Sequence, residues 1–148
     1  MYKQLISTLF LLSGINPVLA NECESTIDST DRMLFDKSAM SIPSSCKTFT
    51  VTLTHSGKMG KDIMGHNWVL SEKNQAQAVA TDGMTAGIDN DYLKPDDSRI
   101  LAATKLIGGG MKTSVTVEVA KLSSDKEYTF FCSFPGHISM MKGTLSVG

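Results

Sequence analysis

The clearest pattern in the chain is Thr48-Phe49-Thr50-Val51-Thr52-Leu53-Thr54, where three apolar side chains alternate with four threonines. A period of two buries one face and wets the other, which predicts a β-strand. Ser114 to Val119 repeats the alternation, and Glu22 to Ile27 and Gly143 to Val147 carry shorter versions. Gly65 to Leu70, Arg99 to Ile107 and Tyr128 to Cys132 are also predicted as strands, the last with Tyr128, Phe130 and Cys132 on one face. Met33-Leu34-Phe35 adds a short apolar cluster. Turns are predicted at Ser41 to Ser45 and Ser123 to Lys126, a break in the pattern at His55 to Lys61, and a tight turn at Gly108-Gly109-Gly110. After Ser71 the β-branched content falls, and a short helix is predicted over Asn74 to Thr81. About seven short strands with one helical insertion imply an all-β antiparallel sandwich in a single domain, with no internal repeat.

The first 20 residues stand outside this pattern. Lys3, the apolar run from Leu5 to Leu12 and the small Ala20 before polar Asn21-Glu22 read as a secretory signal cleaved after Ala20. The run is too short to span a bilayer, and no later segment has the apolar length to do so. The remaining domain is 21–148. Losing Lys3 from the 14 basic residues leaves 13 against 15 acidic, with no basic patch, which excludes nucleic-acid binding. Four aspartates between Asp89 and Asp97 read as a solvated loop, since the glycine and terminal glutamate of a calcium loop are absent.

Cys23, Cys46 and Cys132 all lie beyond the leader. An odd count in an exported chain implies one disulfide and one thiol with another task. Cys23 and Cys46 sit in polar surroundings and are the expected pair. Cys132 sits among aromatics, in Phe131-Cys132-Ser133-Phe134-Pro135-Gly136-His137-Ile138-Ser139-Met140-Met141.

This last segment places a thiolate, an imidazole and a thioether in the spacing C-x4-H-x3-M, donor types that suit copper cycling between two oxidation states. Pro135-Gly136 favours a turn that folds His137 back beside Cys132, and Pro135 has no N–H to offer the sulfur. Each side chain also has a plainer role: Cys132 and Met141 as core filling, His137 as a turn residue, and Met140 as an equal donor on composition. A second imidazole must come from His55 or His66. His66 is better placed, after Gly65, whose carbonyl can approach a metal, and before Asn67, whose side chain can tie this strand to the Cys132 loop. His55 stays open on spacing.

Gly65-His66-Asn67-Trp68-Val69-Leu70-Ser71, Phe131 to His137 and Met141-Lys142-Gly143-Thr144-Leu145 together resemble the azurins, bacterial blue-copper proteins of the cupredoxin group. The likeness extends over the whole chain after the leader. The Cys-to-His gap distinguishes azurins from plastocyanin-like relatives, whose gap is shorter. The resemblance implies a Greek-key sandwich of about eight strands with one short helical insertion. It implies type 1 copper held by His66, Cys132 and His137, with Met141 and the Gly65 carbonyl as distant axial contacts. His55 is implied to be a non-ligand nearby, Asn67 and Phe134 to flank the ligands, and Trp68 to lie in the core.

The function expected from this is that of a monomeric periplasmic one-electron carrier, not an enzyme, passing electrons through His137. Its expected partners are c-type cytochromes and periplasmic reductases, met transiently on an apolar patch of Met33, Met64, Met84, Phe134, Pro135 and Ile138. The rival of a different class is a copper or zinc storage protein using the same ligands. A cysteine hydrolase built on Cys132 and His137 lacks an identified orienting group.

Overall fold

A computed structural model describes residues 22–148; the leader and its cleavage point after Ala20 lie outside the described residues. Among these residues, nine strands form two sheets. The first has the order β2 (Leu34–Phe35), β1 (Glu24–Thr30), β4 (Thr48–His55), β7 (Lys112–Glu118). The second has the order β3 (Ala39–Ile42), β9 (Lys142–Val147), β8 (Tyr128–Phe131), β5 (Val69–Glu72), β6 (Ala102–Ala103). Ile27, Val51, Leu53 and Val117 from one sheet and Ile42, Leu70, Phe130 and Leu145 from the other meet in one core around Trp68.

The all-antiparallel pairing expected from the short strands needs correction. β1 runs parallel to β4, and β3 parallel to β9. The chain leaves the first sheet after β2, crosses to form β3, and returns as β4 beside β1. Such a crossover delivers the returning strand in the same direction. Ser41 and Ile42 are not a turn but the end of β3, because Ile42 is fully buried and pairs with Val147. Arg99 to Ile107 is mostly not strand. Only Ala102–Ala103 pairs with β5, and Ile107 makes a single bridge to His66. The Gly65–Leu70 strand begins only at Val69.

Among the described residues two α-helices and three single 3-10 turns complete the fold: α1 (Lys61–Met64) is one turn that starts at the last residue of the predicted break and ends just before Gly65, and α2 is Ala76–Ala86. α2 starts two residues later and runs five residues further than predicted. Gly87, at φ +77, stops it where a side chain would be strained. Ala76, Val79 and Ala80 of α2 pack on Val69, Phe131 and Ile138 on the outer side of the second sheet. β8 is therefore buried on both faces, Phe130 in the main core and Phe131 under the helix. Cys23 and Cys46 are joined, tying the start of β1 to the segment before β4.

Candidate metal centre

Four segments converge at one end of the sandwich: the turn after β1, the end of β4, the link from α1 through Gly65-His66, and the loop after β8. The last is shaped by its own backbone. His137 N–H donates to Phe134 O (2.9 Å), Met141 N–H to His137 O (2.7 Å) and Cys132 N–H to Met141 O (3.0 Å). Gly136 takes φ +83, which a side chain there would resist. The loop thus turns sharply and brings Met141 back beside Cys132. His66 arrives from across the sheet, pinned by two backbone bonds to Ile107 (3.0 and 2.9 Å).

Cys132 Sγ lies 3.8 Å from His66 Nδ1 and 3.6 Å from His137 Nδ1, and 3.9 Å from the Gly65 carbonyl oxygen. The three donor atoms fall within 4.8 Å of one another, and all three residues are buried. His66 Nε2–H donates to Thr30 O (2.9 Å), leaving Nδ1 free to face the thiol. His55 has both ring nitrogens engaged by nearby backbone. Nδ1 accepts Gly57 N–H (3.0 Å) and Nε2 donates to Met64 O (2.9 Å). It stacks on His66 at 4.5 Å between centroids and has no donor to spare.

Burial governs the protonation of the cluster. It pushes the Cys132 thiol up to about 12, against the opposing pull of the Asn67 and Phe134 N–H groups that face the sulfur. It pushes His66 down to about 4, although the Thr30 carbonyl favours the cation. His137 is likewise held at about 4, by burial and by the neighbouring His66. Two neutral imidazoles thus present lone pairs beside a thiol whose proton leaves readily only when a bound cation takes its place, the proton passing to solvent. A soft thiolate with two imidazoles fits copper, and a buried thioether, Met141, lies on the same loop.

The copper-binding plastocyanin/azurin family model matches residues 21–148. The chain belongs to this family. An azurin of Bordetella pertussis is 53% identical over 148 residues, covering 99% of each chain. An azurin of Pseudomonas fluorescens biotype C is 60% identical over 126 residues, covering 85% of this chain and 98% of its own. A solved azurin structure from Methylomonas sp. strain J superposes with a TM-score of 0.83 at 49% identity, covering 85% of this chain and 98% of that one. The chain is thus a blue copper protein with a cupredoxin fold and one copper per chain.

The family's framework explains several placements. Asn67 Nδ2 donates to Ser133 Oγ (2.8 Å) and Asp91 O (2.9 Å), and its Oδ1 accepts Ser133 N–H (2.8 Å). Phe134 stacks on His137 at 4.4 Å and meets the edge of Tyr92 at 5.1 Å. Met141 is fully buried, whereas Met140 is 57% exposed, which separates two donors that composition left equal. Of the expected patch residues, Met84 is exposed, Pro135 is exposed, and Met33, Met64 and Phe134 are half-buried. Ile138 is largely buried and packs under α2. Met84, Phe134 and Ile138 line one groove of about 230 Å³ beside the loop.

Sequence reasoning missed Thr30, Asp91 and Ser133, which orient His66 and Asn67. It also missed Ile63, 64% exposed on α1 beside Gly65. Backbone carbonyls carry no residue signature, so Thr30 and Asp91 had none to find. The acidic loop is not simply solvated: Asp91 Oδ1 accepts Leu106 N–H (3.1 Å), and Asp97 is buried against Arg99.

Proposed function

We propose that this protein is an exported, monomeric one-electron carrier. His66 Nδ1, Cys132 Sγ and His137 Nδ1 hold the copper, and Met141 and the Gly65 carbonyl approach it as weak axial groups. The observation that carries the reading is the buried triad itself, three donors within 4.8 Å of one another, His66 from one segment and Cys132 and His137 from the loop after β8. When bound, copper supplies the one-electron couple between Cu(I) and Cu(II). The chain's own residues keep the donors in one arrangement for both states. Thr30 fixes the His66 ring, Asn67 fixes the Cys132 loop, and Phe134 braces His137.

A carrier rather than an enzyme is supported by access. His66, Cys132 and Met141 have no exposure, so a substrate has no path to them. His137 retains 3%. Its Nε2 makes no hydrogen bond, yet among the described residues Trp68 Nε1 is the only fully buried side-chain N or O without a partner, so the exposed fraction includes Nε2. That edge is the electron's doorway. Exposed Met84, Ile63 and Pro135 and half-buried Met33, Met64 and Phe134 lie on the segments around it, an apolar face suited to brief docking of a second redox protein. The partners are c-type cytochromes and periplasmic reductases. Residues 1–20 are the export signal, cleaved after Ala20 to release the 21–148 domain into the periplasm. No helix among the described residues is long and apolar enough to cross a membrane.

The test mixes the Cu(II) protein with a reduced c-type cytochrome in a stopped-flow instrument. Second-order bleaching of the copper colour, matched by cytochrome oxidation, is expected. A copper protein that exchanges no electrons with any such donor contradicts the carrier reading and favours storage.

A further inference from the structure

Among the described residues, six large apolar side chains are exposed: Leu34, Met59, Ile63, Met84, Met111 and Met140. Four of the six are thioethers. All four lie on segments that bear on the copper end. Met59 lies two residues after Gly57, which bonds His55, and its N–H donates to Asp31 Oδ1 (3.1 Å). Met111 O accepts His55 N–H (3.0 Å), and Met140 N–H donates to His137 O (3.0 Å). Met84 shares its groove with Phe134, which stacks on His137. Methionine is ordinarily among the buried residue types. Here, among the described methionines, only Met40, at 8%, and Met141, at 0%, are buried. Leucine would give an apolar face of similar size without the sulfur, so the thioether brings a chemical property that docking alone does not need.

We propose that Met59, Met84, Met111 and Met140 form an oxidation site for peroxide-class oxidants, modified ahead of Met141, and that this modification weakens docking while leaving the copper centre intact. In the step, a sulfur lone pair attacks one peroxide oxygen and the O–O bond breaks. The thioether becomes a sulfoxide, oxidised by two electrons, and the other oxygen leaves as water with both protons of hydrogen peroxide, or as the alcohol of an organic hydroperoxide. Selectivity follows from access, and the neighbours Met140 and Met141, at 57% and 0% exposure, display it within one dipeptide. The consequence follows from polarity: the sulfoxide at Met84 turns an apolar contact of the docking face into a polar group that must be desolvated on docking, and those at Met59, Met111 and Met140 make the surrounding copper end more polar. This consequence rests on the apolar docking face proposed above; the order of modification does not.

The experiment treats the Cu(II) protein with graded hydrogen peroxide, removes it, and reads three quantities: sulfoxide at each methionine by peptide mass spectrometry, the copper absorption, and the electron self-exchange rate between Cu(I) and Cu(II) copies. The four exposed methionines are expected to carry sulfoxide while Met40 and Met141 do not, with colour retained and self-exchange slowed by roughly tenfold, the size of losing one good contact in the encounter complex. A variant with leucine at all four positions, compared with itself before peroxide, is expected to keep its rate. Oxidation of Met141 alongside Met140, an unchanged rate in the oxidised protein, or equal slowing of the leucine variant overturns the proposal. Ile63→Glu, without peroxide, tests the docking face separately. If it leaves self-exchange unchanged, the docking reading falls and takes the slowing with it. If it slows exchange where sulfoxide does not, only the present inference falls.

Discussion

Asn67 and Ser133 grip each other twice, Ser133 N–H donating to Asn67 Oδ1 and Asn67 Nδ2 donating to Ser133 Oγ, both at 2.8 Å and both buried. These residues are the immediate neighbours of His66 and Cys132, so the pair locks two donors from different strands into one frame. Asn67→Leu keeps the volume but strands the buried Ser133 N–H and leaves the Ser133 hydroxyl only its long bond to Asp91 O (3.4 Å), a cost of about 2–4 kcal/mol. The expected results are a lower denaturation midpoint and copper affinity reduced by about 10–100-fold. Competition with a copper chelator measures the second; unchanged affinity would show that the ligands do not depend on this frame.

Gly65 has no room for a side chain. A Cβ there would collide with the Lys61 carbonyl oxygen and lie 3.0 Å from Leu106 Cδ2. Its own φ of −67 is ordinary, so the constraint is steric and not conformational. Gly65→Ala must therefore shift the backbone whose carbonyl stands 3.9 Å from the Cys132 sulfur. The expected outcome is a loss of about 1–3 kcal/mol on chemical denaturation together with an altered copper absorption spectrum.

Acid should weaken the copper-free protein over a defined window. His66 and His137 titrate near 4 in the fold, against 6.5 for a solvated imidazole. Between these values the unfolded chain binds protons that the folded chain refuses, so stability falls as pH drops. Above about pH 7 neither state is protonated at these sites and their effect vanishes. Asp31 and Asp97, held low by the Lys58 N–H and the Arg99 guanidinium respectively, add their loss only at still lower pH. Unfolding free energies from urea titrations without metal should decline from pH 7 to pH 4, by a few kcal/mol in total. A flat profile across that range contradicts neutral buried histidines.

The disulfide serves the scaffold and not the copper. It closes a separation of 23 residues between the start of β1 and the segment before β4. Replacing both Cys23 and Cys46 with Ala should cost about 3 kcal/mol, the loop-entropy value for that length. The copper colour should survive, since Cys132 is the free thiol.

The strands most legible in the sequence were those with one wet face. Thr48–His55 is the clearest, with Phe49, Val51 and Leu53 inward and threonines outward. β8 was also predicted, over Tyr128 to Cys132, although α2 covers its second face and leaves no wet side. The parallel pairings were invisible, since alternation does not encode direction. At the site, Cys132 and His137 were legible because one short loop carries them. Choosing between His55 and His66 on the residues alone needed the geometry, in which the Gly57 N–H and the Met64 carbonyl occupy both nitrogens of His55.

The central claim, that Cys132 joins His66 and His137 in a copper centre exchanging one electron, is tested most directly by a reductive titration followed in visible absorption. The Cu(II) protein should show an intense thiolate-to-copper band that one electron equivalent per copper removes and re-oxidation restores. Cys132→Ser should lack the band altogether. A colourless copper complex, or a Cys132→Ser variant that keeps the band, would contradict the account.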